Sequence, residues 1–202
     1  VQLITVSKTV DTDRIREAIS YGVTDIGENK VQELDSKISE LGDIVNYHMI
    51  GSLQTNKVKN IIDKVKLIHS LDRLALAKEL DKRAKQKNIV IDTLIQVNVA
   101  KEETKSGFSV EEVIPFIEKA ITLDNIKIRG LMTIAPNSED TNLLRNVFRT
   151  LYELKEDIKG RNYKEVNMDF LSMGMTHDYE IAIEEGSNMI RVGTGIFGKR
   201  NY

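Results

Sequence analysis

The chain has 202 residues, of which 41% are hydrophobic and 30% charged, a balance typical of soluble globular proteins. A formal net charge of −2 gives no broad basic surface and argues against nucleic acid as a partner. The sequence has no cysteine, which excludes disulfides and thiolate chemistry, and no apolar run long enough to predict a membrane span.

Strand-type apolar runs alternate with helical patterns along the whole chain. The predicted strands are residues 1–6, 23–27, 45–51, 65–69, 89–99, 126–132, 166–171 and 189–193. The predicted helices run from 11–13 to 22, from 28 to about 41, from 54 to about 62, from 72 to about 86, from a capping box at 109–112, from 137–140 to about 158, and from 178 to 185.

Eight strands separated by seven helices predict a parallel sheet with right-handed crossovers. Eight repeats favour a closed (β/α)8 barrel of the TIM type, and no linker divides residues 1–202 into more than one domain. A typical barrel has about 250 residues, so this one is minimal. Only residues 196–202 remain after the last strand and its glycine loop, and the chain starts at Val1 inside a strand. We therefore expect that an N-terminal segment carrying the missing outer helix precedes Val1.

Lys8 is the unusual residue at the end of the first strand. On a strand, Ile4, Val6 and Lys8 share one face, so Lys8 ends an apolar row. A lysine there either reaches water or does chemistry, because an unpaired buried ammonium is costly. In apolar surroundings the neutral amine is favoured, and that form attacks carbonyls to give a Schiff base. The row alone is equally compatible with a solvated lysine, which is the commoner arrangement.

A phosphate site is predicted at the ends of the last two strands. In such barrels the active site lies at the carboxyl ends of the strands. Gly193 and Thr194 let backbone N–H groups approach an anion, and Ser172 supplies a hydroxyl from the neighbouring strand. Phosphate sites after strands seven and eight are frequent in this fold, although glycines there can also simply form turns.

A lysine and a phosphate site in one barrel mouth leave two interpretations. Either a sugar phosphate reacts with Lys8, as in an aldolase, or pyridoxal 5′-phosphate (PLP) is held through both groups. Arg191 favours PLP, because it lies beside the phosphate loop where it can hydrogen-bond the pyridine nitrogen. An arginine there disfavours protonation of that nitrogen and weakens the cofactor as an electron sink. The alternative for Arg191 is a surface ion pair with Glu184 or Glu185, which contributes little.

Two further groups carry weaker signals. His48, His69 and His177 are far apart in sequence and lack metal-ligand spacing, so a structural role is favoured over a metal site. Lys101 and Lys105, in the polar loop 101–107, are placed to steer an anionic cofactor inward, although a solvated loop is the default interpretation.

Five segments resemble the pyridoxal phosphate homeostasis protein family, and together they span nearly the whole chain. They are Ser-Lys at 7–8, Gly-Glu-Asn at 27–29 followed by Gln-Glu at 32–33, His-Met-Ile-Gly-Ser-Leu-Gln-Thr-Asn-Lys at 48–57, Ser-Met-Gly-Met at 172–175, and Arg-Val-Gly-Thr-Gly-Ile-Phe-Gly at 191–198. The resemblance implies a barrel similar to the alanine racemase N-terminal domain. Family members usually begin with a helix before the lysine strand, and its absence here agrees with the missing outer helix.

The resemblance also implies PLP as the cofactor and assigns its contacts. Lys8 would carry PLP as a Schiff base, Arg191 would face the pyridine nitrogen, and Asn29 would lie against the cofactor. The residues implied to hold the phosphate are Ser172, Gly193 and Thr194.

The predicted function is a PLP carrier that buffers the cofactor or delivers it to apo-enzymes, without strong catalysis of its own. The alternative is an amino-acid racemase, which needs proton donors on both faces of the substrate Cα. In alanine racemase the second donor is a tyrosine that comes from the partner subunit through a second domain, and here the barrel uses the whole chain. A cofactor-independent aldolase leaves Arg191 unexplained. We also expect a cytoplasmic monomer that binds neither membrane nor nucleic acid.

Overall fold

Eight parallel strands close into a barrel in chain order, in a computed structural model that describes residues 1–102 and 105–198. The strands are β1 (Gln2–Val6), β2 (Asp25–Glu28), β3 (Asn46–Met49), β4 (Leu67–Leu71), β5 (Ile91–Gln96), β6 (Ile126–Met132), β7 (Val166–Ser172) and β8 (Met189–Val192). The helices are α1 (Thr12–Ser20), α2 (Val31–Leu41), α3 (Val58–Ile61), α4 (Leu74–Lys87), α5 (Val110–Ala120), α6 (Thr141–Gly160), α7 (Tyr179–Glu184) and α8 (Thr194–Phe197). The predicted (β/α)8 barrel is therefore confirmed.

The barrel closes at β1, which pairs with both β2 and β8. Ile4 pairs with Arg191, and Val6 pairs with Gly27. Because all strands are parallel, their carboxyl ends meet at one mouth, and the residues after β1, β2 and β8 converge there. This register positions Lys8 near Asn29 and Arg191.

The core has two layers. The larger layer lies between strands and helices, where Phe148 of α6 is among the largest fully buried side chains. The smaller layer fills the barrel interior, with six buried apolar residues: Ile4, Ile50, Leu67, Leu94, Met132 and Met189. Side chains two positions apart share a strand face, so His69 shares the inward face with Leu67, and Arg191 shares it with Met189. The interior therefore holds polar as well as apolar side chains.

Element ends differ from the prediction where tertiary hydrogen bonds decide them. The second helix was predicted from residue 28, whereas Glu28 ends β2 and α2 begins at Val31. The Glu28 carbonyl accepts the Ile50 N–H at 2.9 Å, which extends the pairing with β3. The fifth strand was predicted from residue 89, whereas the Ile89 N–H donates to the Ala84 carbonyl of α4 and so belongs to the helix end.

One predicted helix start is confirmed, and one short helix is additional to the prediction. The capping box of Ser109 and Glu112 is present at the start of α5. The stretch after the eighth strand contains the short helix α8, where the sequence predicted no helix. Residues 103–104 of the polar loop and residues 199–202 of the tail lie outside the described residues. Within the described ranges, none of the helices is long and apolar enough to cross a membrane.

Candidate functional site

A cavity of about 440 Å³ opens at the carboxyl-terminal mouth of the barrel. Three residues predicted for the site, Lys8, Asn29 and Arg191, line it together. The other lining residues are Val6, Ile50, Gly51, Ser52, Gln96, Val97, Asn98, Lys105, Ser106, Ile134 and Met175. The cavity is mixed in character, with an amine and a guanidinium set among amides, hydroxyls and apolar side chains.

Lys8 lies in a turn immediately after β1 and is half-buried. The next residue, Thr9, has a φ of 64°, in the left-handed region. The Val10 N–H closes the turn by donating to the Ser7 carbonyl at 3.0 Å. The backbone leaves the barrel there, and the Lys8 side chain forms part of the cavity wall.

A buried ion cluster anchors this turn to β2 and α2. Lys37 of α2 donates to the Ser7 carbonyl at 2.6 Å. Its Nζ atom lies 2.6 Å from Glu28 Oε1 and 3.0 Å from Glu33 Oε1. The Ser7 hydroxyl also donates to Glu28, at 2.6 Å. The residue before Lys8 is thus held through both its backbone and its side chain.

The same cluster holds the residue after Lys8, since the Thr9 N–H donates to Glu33. Burial raises the pKa of Glu28, and the hydrogen bond and charge of Lys37 oppose that rise. Glu28 Oε2 is buried and has no hydrogen-bond partner among the described residues. A buried carboxylate with one unpaired oxygen depends strongly on its cation, so Lys37 is central to the shape of the Lys8 turn.

Arg191 projects from β8 and is almost completely buried. Its Nη1 donates to the Ser172 hydroxyl at 2.7 Å, and its Nη2 donates to the Thr133 carbonyl at 2.8 Å. Burial lowers the pKa of Arg191 to about 10, opposed by the charge of Asp178. The guanidinium therefore stays protonated near neutral pH and gives the cavity a fixed positive charge.

The surface ion pair considered as an alternative for Arg191 is not formed. The Glu185 carboxylate lies 3.0 Å from both Arg145 and Arg149. Glu184 pairs with Arg145 on the same outer face. Both carboxylates thus belong to a surface network between α6 and α7, whereas Arg191 faces the barrel interior.

Ser172 lies behind Arg191 rather than on the cavity wall that the described residues form. Its Oγ atom is 2.7 Å from Arg191 Nη1 and 3.1 Å from His69 Nδ1. A hydroxyl has one donor and two acceptor positions, so two of its three positions are engaged inside the barrel. The phosphate contact of Ser172 stays a prediction, and this geometry favours a role in holding Arg191.

Gly193 turns the chain from β8 into α8, and Thr194, the first residue of α8, is exposed. Neither residue is among those that line the cavity. A Cβ atom on Gly193 would lie 3.1 Å from the Val6 carbonyl oxygen, so a small residue keeps this turn close to β1. Thr176, which the sequence interpretation missed, accepts the Gly195 N–H at 3.3 Å. Thr176 directly follows the Ser-Met-Gly-Met motif at 172–175. Its hydroxyl next to that motif is the sequence signal by which it could have been found.

Asn29 is in close contact with Gly51. A Cβ atom on Gly51 would lie 2.4 Å from the Asn29 carbonyl oxygen and 2.6 Å from its Cα. No ordinary side chain fits at that distance, so the glycine in the motif at 48–57 allows the loops after β2 and β3 to touch.

His48 and His69 are neighbours inside the barrel despite their separation in sequence. His48 Nδ1 lies 3.0 Å from His69 Nε2, and His48 Nε2 lies 2.8 Å from Asp25 Oδ1. Burial lowers the pKa of both imidazoles, and Asp25 partly opposes this for His48. Among the described side chains, no group of three or more His, Cys, Asp or Glu residues is arranged to hold a metal ion.

Lys105 lines the cavity from the loop after β5. Its ammonium lies 2.7 Å from Glu102 Oε1 and 3.1 Å from the Ala135 carbonyl oxygen. Lys101 instead pairs with the exposed Glu111 at 3.1 Å. The steering role of this loop stays a prediction, with Lys105 the better placed of its two lysines.

Known proteins match this chain over nearly its full length. The model of the family described as alanine racemase, N-terminal domain, matches residues 2–201. A pyridoxal phosphate homeostasis protein of Aquifex aeolicus is 48% identical over 202 residues, covering 100% of this chain and 88% of that protein. PipY of Synechococcus elongatus, solved with PLP bound, is 34% identical with a TM-score of 0.90, covering 98% of this chain and 92% of that one. Alanine racemase from Corynebacterium glutamicum has a TM-score of 0.74 at 14% identity, covering 100% of this chain and 57% of that one, which shows a shared fold alone.

Proposed function

The chain belongs to the pyridoxal phosphate homeostasis protein family, and on that premise we propose that it binds PLP at the mouth of the barrel. In this proposal it holds the cofactor in reserve and releases it to apo-enzymes, rather than turning over a substrate. One observation carries the proposal: a lysine amine and a fixed guanidinium, Lys8 and Arg191, line the same cavity. The related PipY structure contains PLP.

The cavity suits a cofactor of this size and chemistry. Its volume of about 440 Å³ is within the range of about 300–1,000 Å³ seen for small-ligand sites. PLP offers an aldehyde that binds amines covalently and reversibly, a pyridine nitrogen and a phosphate. The cavity offers a matching amine and a guanidinium, and the glycine turn at Gly193, with the nearby hydroxyl of Thr176, lies outside its lining.

We assign the residues accordingly. Lys8 supplies the amine for the Schiff base, and its turn is held on both sides by the Lys37 cluster. Arg191 directs its positive charge at the pyridine nitrogen and keeps that nitrogen unprotonated. Gly193 and Thr194 bind the phosphate, with Thr176 beside them.

Asn29 packs against the cofactor in this assignment. It lines the cavity, and its backbone is in contact with Gly51. Ser172 acts through Arg191, because its hydroxyl is bonded to that guanidinium inside the barrel.

The racemase alternative needs a second proton donor opposite Lys8. The cavity lining formed by residues 1–102 and 105–198 contains no tyrosine. Arg191 does not discriminate between the two functions, since the racemase has an arginine in that role too. The absence of a tyrosine from this lining favours a carrier. The barrel closes on its own core, so the proposal is for a monomer, and it places the protein in the cytoplasm with the enzymes that need PLP.

The test combines retention, transfer and turnover. The purified protein is loaded with PLP, freed of excess by gel filtration, and mixed first with an apo-aminotransferase and then with a panel of L-amino acids. We expect retained visible absorption, restored aminotransferase activity and no steady racemisation by chiral chromatography. Racemisation at ordinary enzyme rates, about 1–1,000 per second, would overturn the carrier function and support the alternative.

A further inference from the structure

Five side chains from five strands form a continuous hydrogen-bonded chain through the barrel. The chain runs from Asp25 of β2 through His48 of β3, His69 of β4 and Ser172 of β7 to Arg191 of β8. Its four separations, in that order, are 2.8, 3.0, 3.1 and 2.7 Å. We call these five residues the interior relay.

The interior relay connects the two ends of the barrel. Arg191 lines the large cavity at the carboxyl-terminal mouth. His48 lines a second cavity of about 160 Å³, together with Gln2 and Met189, which begin β1 and β8. All five relay side chains are buried, and beyond one another they bond to Gln2 and Thr24 at the Asp25 end and to the Thr133 carbonyl at the Arg191 end.

The two ends of the relay fix the direction of its hydrogen bonds. A guanidinium only donates and an ionised carboxylate only accepts. Arg191 therefore donates to Ser172, which leaves the Ser172 proton to donate to Nδ1 of His69. His69 then donates from Nε2 to Nδ1 of His48.

His48 completes this series of hydrogen bonds by donating from Nε2 to Asp25. With every link made and both rings neutral, this is the single allowed arrangement, and each imidazole carries its proton on Nε2. The opposite direction needs His48 to donate from both nitrogens, and hence to be an imidazolium.

We infer that Ser172, His69, His48 and Asp25 are positioning residues for Arg191, locked into one direction of hydrogen bonding, and that protonation of an imidazole breaks this lock. The link to the cofactor rests on the proposed function, through the contact of Arg191 with the pyridine nitrogen. A proton that His69 takes from solvent occupies Nδ1, which is the acceptor used by Ser172. The His69–Ser172 hydrogen bond then reverses, because Nδ1–H donates to the second acceptor position of Ser172. The Ser172 proton loses its acceptor, and the support of Arg191 changes.

The surrounding charges agree with two neutral rings at neutral pH. Burial is the main cause of the lowered pKa of His48 and His69, and Arg191 adds to it for His69. Burial also raises the pKa of Asp25, but hydrogen bonds from His48 and Thr24 outweigh it and hold that pKa well below its ordinary value. The relay therefore has its cation and its anion at opposite ends.

Other charged groups near the relay lie at its two ends. At one end, the Lys66 ammonium is 3.6 Å from the Asp25 carboxylate. The ion pair of Asp92 with Arg129 lines the second cavity, which His48 also lines. At the upper end, Asp178 acts on Arg191, and Lys8 shares its cavity.

The first experiment needs no cofactor. Long-range ¹H–¹⁵N NMR of the ¹⁵N-histidine-labelled protein reports the tautomer of each ring. We expect His48 and His69 both neutral with the proton on Nε2 at pH 7.5, and a change in both as the pH is lowered. An Nδ1–H tautomer or an imidazolium at pH 7.5 in either ring would overturn the inference.

The second experiment measures the effect on the site. Ser172→Ala removes the link between His69 and Arg191. Ser70→Ala is the matched control, because Ser70 is also buried and its hydroxyl has no partner among the described residues. We expect Ser172→Ala to shift the absorption maximum of bound PLP and to weaken PLP binding by about tenfold, equivalent to 1.4 kcal/mol. Ser70→Ala is expected to match the parent protein.

A third variant covers the case in which Ser172→Ala does not fold. Asp25→Asn removes the acceptor-only end of the relay, so His48 is expected to show a mixture of tautomers and bound PLP a shifted absorption maximum. Parent-like tautomers and spectra in the folded variants would overturn the inference. If the parent protein binds no PLP, the proposed function fails, while the NMR result still decides the relay.

Discussion

The Ser172 hydroxyl accepts a hydrogen bond from Arg191 Nη1 at 2.7 Å, inside the barrel and behind the wall of the mouth cavity. This contact fixes one side of the guanidinium, and the Thr133 carbonyl fixes another at 2.8 Å. The site is thus organised around the amine of Lys8 and the cation of Arg191, which is held in place by its two hydrogen bonds.

Replacing Arg191 by Gln tests the role of that cation. PLP is expected to bind still through Lys8, but with a shifted absorption maximum and an affinity reduced about tenfold or more, because a charged hydrogen bond is lost. Spectrophotometric titration measures both effects. Arg145→Gln is the control, since Arg145 pairs with Glu184 on the outer face. A parent-like spectrum in Arg191→Gln would argue against its contact with the cofactor.

Replacing Lys37 by Met tests the cluster that holds the Lys8 turn. The change leaves the Glu28 carboxylate buried without its cation, so the free energy of unfolding is expected to fall by about 3–5 kcal/mol. Urea denaturation at pH 7.5 measures it. Lys64→Met is the matched control, because Lys64 pairs with Asp35 at the surface and such pairs contribute about 0–1 kcal/mol. Equal losses in the two variants would show that the cluster contributes no more than a surface pair.

The stability of the protein is expected to fall as the pH is lowered from 7.5 to 5.5. Burial lowers the pKa of His48 and His69 below the ordinary 6.5, so the unfolded chain takes up protons first. The free energy of unfolding then decreases by at most about 1.4 kcal/mol per pH unit for each histidine. Glu28, whose pKa burial raises above 4.5, acts in the opposite sense at lower pH, which is why the window ends at 5.5.

Urea denaturation at pH 7.5, 6.5 and 5.5 checks this expectation, with His69→Gln as the comparison. The variant is expected to be less stable at pH 7.5 but to show a smaller change with pH, because one of the two groups is gone. A parent protein whose stability does not change across this window would contradict the assignment of two buried neutral rings.

Gly51→Ala tests the close contact that places Asn29. The new Cβ atom would lie 2.4 Å from the Asn29 carbonyl oxygen, so the loop must move. A loss of about 1–3 kcal/mol in stability is expected from this overpacking, together with weaker PLP binding. Gly160→Ala is the control, since no atom lies within 4 Å of its added Cβ. Equal PLP affinity in both variants would argue against a contact between Asn29 and the cofactor.

Much of the fold was predictable because each element carries a local signal. The alternation of strands and helices identified the barrel, and Ser109 with Glu112 identified a helix start. Residues at strand ends, such as Lys8 and Arg191, could be assigned to the mouth because parallel strands end at one side.

Contacts between strands were not predictable in the same way. His48 and His69 each looked like an isolated histidine, and their pairing depends on the register of β3 with β4. Ser172 lies at a strand end as predicted, but the direction of its hydroxyl is set by Arg191 and His69. No sequence signal separates Lys37 from the other lysines of the predicted helices, and its burial depends on Glu28 at the end of β2.

The most direct test of the account is the visible spectrum of the protein loaded with PLP, compared between the parent and Lys8→Ala. Lys105→Ala is the control, because Lys105 is the second lysine that lines the cavity. The account predicts an absorption band of lysine-bound PLP in the parent and in Lys105→Ala, and no such band in Lys8→Ala. A band of the same wavelength and intensity in Lys8→Ala would contradict the central claim that Lys8 holds the cofactor.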